Sequence, residues 1–112
     1  MSLSKQYIQI FVSCSDTGEA QALVGELLEL RLIACGQIMN SMQSFYRWQG
    51  QVAQAEEVLL ILKTQSAYFD KIKQYITHNH SYDVPEIIAT PIIEASPEYL
   101  RWLDECMDHN ND

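Results

Sequence analysis

Between Gln37 and Thr64 the chain carries two long strand-like stretches, Gln37 to Trp48 and Gln51 to Thr64, separated by a single turn signal, Gln49-Gly50. Gly50 accepts positive φ at no steric cost, as a two-residue turn of the primed type requires, although Gln49 is a poorer first residue than Asn or Asp. At about 3.3 Å per residue each arm reaches roughly 40 Å, about twice an ordinary strand. A hairpin of that length projects from any core that 112 residues can build. Its tip then exposes unpaired amides together with Phe45, Tyr46 and Trp48, and proteins cover such an edge, often with another subunit.

The flanking segments supply the rest of the fold. Tyr7 to Val12 is β-branched and aromatic, a first strand. Asp16 can cap the helix that follows, with Glu19 three residues on to reach back, and Ala20, Leu23, Val24, Leu27 and Leu28 recur at helical spacing. Gly36 reads as the stop. After the hairpin, Ser66 reads as the cap of a second helix with Tyr68 or Phe69, Ile72, Tyr75 and Ile76 on its apolar stripe, ending near His78. A polar connector, His78 to Pro85, leads to a strand over Glu86 to Glu94, which Pro91 places at an edge or bulge. Ser96-Pro97-Glu98 has the hydroxyl, proline and acid of a helix start, and the short last helix carries Leu100, Trp102, Leu103 and Met107. The order predicts an α+β, ferredoxin-like β-α-β-β-α-β sandwich with a long central hairpin and an extra C-terminal helix. One domain spans 1–112, with its core over about 6–107 and a frayed polar tail from Asp108 to Asp112.

Composition narrows the function. Fifteen acidic against seven basic residues give a net charge of −8, which repels phosphate backbones and anionic lipid, so nucleic acid and membrane are excluded as partners. No stretch has the length of a membrane span, and the opening six residues lack the apolar core of a secretion signal, so a cytoplasmic location is expected. Three cysteines, Cys14, Cys35 and Cys106, form neither a disulfide framework nor a CxxC knuckle and read as reduced thiols. The four isolated glycines build no phosphate loop.

Chemistry then rests on few residues. Cys14 at a strand end and His78 or His80 can act as a Cys-His pair only if the fold joins them; alone, Cys14 is a small buried apolar residue and the histidines are loop residues. Thiolate and imidazole are equally the ligands of copper and zinc. Glu56 and Glu57 point to opposite faces of a strand, so at most one joins a given constellation. Glu57 also reads as a solvated charge or a lysine's partner, and Tyr46, Trp48, Tyr82 and Trp102 as core or interface aromatics.

Five strings, Ala34-Cys35, Ser44-Phe45-Tyr46-Arg47-Trp48-Gln49-Gly50, Glu57-Val58 with Ile61-Leu62-Lys63-Thr64, His80-Ser81-Tyr82-Asp83-Val84-Pro85-Glu86 and Tyr99-Leu100-Arg101-Trp102-Leu103, together resemble the CutA divalent-cation tolerance family over about residues 7–105. The resemblance implies a ferredoxin-like homotrimer similar in plan to the PII signalling proteins, without enzymatic activity, acting in copper and divalent-ion tolerance. The family's copper ligands fall on Cys14 and His80; Glu57 or water can complete the shell, and since two good ligands are fewer than a closed site uses, copper or another divalent cation is expected to be held weakly. Of the family's two successive histidines the first falls on Asn79, and Ser81 replaces the usual proline. Phe45, Tyr46 and Trp48 are the expected trimer contacts, and a further protein partner could read the signal. Two rival readings stand beside this one: a PII-like module binding a small metabolite in the clefts through Lys63, Tyr82, Glu57 and Asn79, or a thiol enzyme using Cys14 and His80.

Overall fold

The computed structural model describes residues 5–108; the opening segment and the polar tail weighed above fall, apart from Lys5, Gln6 and Asp108, outside the described residues. The elements are β1 (Tyr7–Cys14), α1 (Thr17–Glu29), β2 (Cys35–Trp48), β3 (Gln51–Gln65), α2 (Phe69–Asn79), β4 (Ile87–Ile92) and α3 (Pro97–Met107). They build a four-stranded antiparallel sheet of order β2-β3-β1-β4. This is the ferredoxin-like plan expected from the element order.

Period-two alternation decides which side chains meet the helices. Ile8, Ile10, Val12 and Cys14 of β1 and Val58, Leu60 and Leu62 of β3 are buried against Ala20, Leu23 and Leu27 of α1 and Ile72 and Ile76 of α2. The continuous apolar run Val58 to Leu62 is thus two-faced, with Leu59 and Ile61 on the side that α1 and α2 leave bare. Antiparallel pairing aligns Met39, Leu59 and Ser13 in one row across that bare face, and Ile61, Phe11 and Ile88 in the next. There Met39 and Ile88 stay more than half exposed.

The hairpin is the length predicted, and it stretches the molecule to 50 × 26 × 23 Å. Gln49 and Gly50 both take positive φ, 51° and 79°, the pair of values a primed turn needs. Between Met39 and Met42 the β2–β3 register shifts, with Ser41 at φ 66°. This β-bulge reverses the alternation beyond it. Met42, Tyr46 and Trp48 therefore pair opposite Glu57, Ala53 and Gln51, and Phe45 lies on the other face of the ribbon.

Three local expectations are corrected. Gly36 does not end α1. The helix closes on Leu30, and Arg31, at φ 57°, carries the chain out through Arg31 N–H to Leu28 O and Leu32 N–H to Leu27 O, a Schellman arrangement without glycine. Gly36 instead lies in β2, where a Cβ would stand 2.1 Å from Cγ2 of Val24, so its role is close approach between sheet and helix. Nor does Ser66 cap α2 with its side chain: its N–H is bonded to Gln6 O, and a 3-10 turn over Ser66–Tyr68 leads into the helix. The fourth strand is shorter than expected; Pro91 does sit on an edge strand.

At both remaining helix starts the capping residues act as expected. The Asp16 carboxylate accepts from Glu19 N–H at 2.8 Å, and the Ser96 hydroxyl from Tyr99 N–H. Helix α3 closes the end of the sheet where β1 begins: Leu103 and Met107 are buried with Ala34, and Asp104 accepts from Tyr7 Oη and from Gln65 Nε2. Trp102, read from the sequence as a core or interface aromatic, is 42% exposed.

Candidate functional site

At the opposite end of the sheet, β1 stops at Cys14, α1 starts three residues later at Thr17, and the connector after α2 folds back over both. Cys14, Glu19 and His80 meet there, with one potential ligand atom from each within 4.8 Å of the others. Cys14 is fully buried, as is the imidazole of His80. Glu19 enters because the reach-back expected of an N3 glutamate leads it past the cap: its Oε1 accepts from Ser15 N–H at 2.9 Å and from the Ser15 hydroxyl at 3.1 Å. The other oxygen accepts from Ser81 N–H at 2.7 Å, tying the connector to α1.

Both ring nitrogens of His80 are engaged. Nδ1 accepts from Tyr82 N–H at 3.0 Å; the proton therefore resides on Nε2, which donates to Ser13 O at 2.8 Å. Glu19 Oε1 lies 3.8 Å from that nitrogen. The cluster holds strand, helix and connector together with no buried side-chain polar atom left unpaired among the described residues.

The electrostatics favour a neutral thiol. Burial first, then the negative charges of Glu19, Glu57 and Asp16, push Cys14 up to about 12. Burial would also raise Glu19, but hydrogen bonds from Ser15 and Ser81 and the nearby His80 hold it below its ordinary value. Next to this cluster Tyr82 donates from its hydroxyl to Glu57 Oε2 at 2.7 Å, and burial followed by that bond raises the phenol. Glu57 is thus neither a solvated charge nor a lysine's partner. It also borders an acidic recess of about 380 Å³ with Asp16, Asn40, Ser41 and Glu56.

The other expected residues stand apart. Asn79 spends its amide on Tyr75 O, and His78 faces Gln74 O on the exposed side of α2. Lys63 donates to Gln37 Oε1 six residues along β3 from Glu57, so the two do not converge within a protomer. Phe45 and Trp48 are more than 60% exposed and Tyr46 nearly half. Glu19 was legible as a helix cap but not as a member of this cluster; the one sequence signal is its place five residues after Cys14.

A ferredoxin-like sheet with an overlong central hairpin and a strand-end thiol closed in by an imidazole defines a class of small α+β proteins. The chain belongs to the CutA1 divalent ion tolerance protein family, whose model matches residues 8–106. It is 45% identical over 86 residues to the divalent-cation tolerance protein CutA of Thermus thermophilus, covering 77% of this chain and 84% of the relative. The chloroplastic CutA of Arabidopsis thaliana is 35% identical over 86% of this chain, which spans about half that relative's length, 53%. Among solved structures, CutA1 from Oryza sativa superposes with a TM-score of 0.90 at 33% identity, covering 96% of this chain and 99% of that one.

Proposed function

We propose that this protein is a non-enzymatic homotrimer of divalent metal-ion tolerance that binds a cation such as copper weakly and exchangeably. The observation that carries the ion is the convergence of Cys14, Glu19 and His80, one sulfur, one oxygen and one nitrogen donor of the kind borderline ions take. The donor chemistry fits; the lone pairs are already in use. Any ion must displace the Tyr82 N–H from His80 or the Ser13 contact, compete with Ser15 and Ser81 for Glu19, and take the proton from a thiol pushed up to about 12. Each requirement lowers affinity, and the thiol's proton makes binding weaken as pH falls, because that ligand must shed it. Glu19, rather than Glu57, is the carboxylate of the set, since Glu57 is held by Tyr82.

Assembly is supported by the bare sheet face, where Phe11, Leu59, Ile61, Met39 and Ile88 form an apolar surface, and by the exposed aromatics of the hairpin. Three is the copy number that the family resemblance implies. A thiol enzyme is disfavoured because a nucleophilic cysteine needs access and a lowered pKa, and Cys14 has neither. A metabolite module using Lys63, Tyr82, Glu57 and Asn79 would have to assemble them from different subunits. No helix among the described residues is long and apolar enough to cross a membrane; a cytoplasmic location is part of the proposal.

Calorimetric titration with copper and zinc tests the ion. Weak binding is expected, stronger for copper, reduced by Cys14→Ser and by Glu19→Gln, and left in place by Cys35→Ser and Cys106→Ser. Equal loss in all four variants, or no copper binding at tens of micromolar, would remove the metal role.

A further inference from the structure

Residues 81–84, in the connector between α2 and β4, make no hydrogen bond from main chain to main chain among the described residues. Their outer side faces solvent: Ser81 and Asp83 are exposed, and Val84 is 88% exposed. Bonds to side chains hold them instead. Ser81 N–H donates to Glu19 Oε2 at 2.7 Å, Tyr82 N–H to His80 Nδ1 at 3.0 Å, and the Tyr82 hydroxyl to Glu57 Oε2 at 2.7 Å. The Tyr82 ring lies against the imidazole of His80, with ring centroids 4.8 Å apart. The first two bonds occupy lone pairs of Glu19 and His80, two of the three donors that converge with Cys14. The third ties the connector to β3 through Glu57, a residue outside that donor set.

Given the proposed cation site at Cys14, Glu19 and His80, on which this rests, we infer that residues 81–84 are an autoinhibitory strap that competes with the cation for Glu19 and His80, and that the Tyr82–Glu57 bond is its latch. The acceptor nitrogen of a neutral imidazole has one lone pair, so the Tyr82 N–H and an ion exclude each other at His80 Nδ1. Ser81 and Tyr82 are adjacent, and lifting them together frees His80 Nδ1 and Glu19 Oε2 in one movement. The ion binds the strap-open fraction alone, so its apparent affinity is reduced to that fraction of the intrinsic value. Tyr82 and Glu57 are positioning residues: they set how often the strap opens and do not touch the ion.

Titration of the intact protein with zinc, a diamagnetic probe, followed by calorimetry and by amide exchange in nuclear magnetic resonance, tests this. Tyr82→Phe keeps the ring and the main-chain donor but loses the latch. It is expected to bind zinc about tenfold more tightly than the parent, whereas losing a contact that merely supports the site would weaken binding. Glu57→Ala opens the same latch without releasing a carboxylate and should tighten binding as well. Saturating zinc should speed exchange at the Ser81 and Tyr82 amides, the reverse of the protection that a bound ligand ordinarily gives. Equal or weaker binding by Tyr82→Phe, or slower exchange at those two amides with zinc bound, would overturn the strap and leave the metal reading standing. A gain confined to Tyr82→Phe would also overturn it, because the released Glu57 would then be a ligand itself. Zinc binding by neither the parent nor Tyr82→Phe would remove the metal reading, and the strap with it.

Discussion

His80 donates from Nε2 to the main-chain oxygen of Ser13 at 2.8 Å, a bond between residues 67 apart in sequence. It joins the end of β1 to the connector that follows α2, and its geometry fixes the imidazole tautomer. His80→Ala leaves Ser13 O and Tyr82 N–H without partners in a site that excludes water. A loss of about 2–4 kcal/mol is expected, read by chemical denaturation at fixed protomer concentration.

Glu19 gives the acid limb of stability. Its carboxyl is held below its value in the unfolded chain, so it contributes stability that is present above pH 4.5 and lost as pH falls through the lower folded value. Glu19→Gln should cost about 1–2 kcal/mol at neutral pH and flatten that part of the acid limb. A parent and variant with parallel stability profiles between pH 6 and pH 3 would contradict it.

Cys14 should be inert in the folded protein. Its thiol is buried and raised, so it contributes stability that is complete below its ordinary value of 9.0 and lost as pH rises towards about 12. With a thiol reagent at neutral pH, Cys35 and Cys106 should react in the native state and Cys14 only after unfolding.

Trp48, 62% exposed in the protomer, is one of the three hairpin aromatics assigned to the proposed trimer contact. Trp48→Ala should cost about 2–4 kcal/mol per protomer and lower the melting temperature in a concentration-dependent way. Sedimentation that gives the same trimer and the same melting curve for parent and variant would place the interface elsewhere.

Gly36 tests the contact between β2 and α1. Gly36→Ala puts a methyl 2.1 Å from Val24 Cγ2 and should cost about 1–3 kcal/mol. The double variant with Val24→Ala should recover part of that loss, because the colliding carbon is gone. No recovery would mean that the clash with Val24 does not set the cost.

The sequence by itself determined the elements and their order, because periods of two and 3.6, capping residues such as Asp16 and Ser96, and the Gln49-Gly50 turn act over a few residues. It also singled out Cys14 and His80 by chemical type. Tertiary structure alone decided what those groups can do. Register and packing brought Glu19 to the thiol, closed both nitrogens of His80, gave Glu57 to Tyr82 and turned Gly36 from a helix stop into a contact point. The bulge between Met39 and Met42 set which face of the hairpin carries Tyr46 and Trp48. The His80–Ser13, Glu57–Tyr82 and Gly36–Val24 contacts depend on partners far apart in the chain, and the backbone preferences written into a local sequence cannot specify a lone pair's partner across sixty residues.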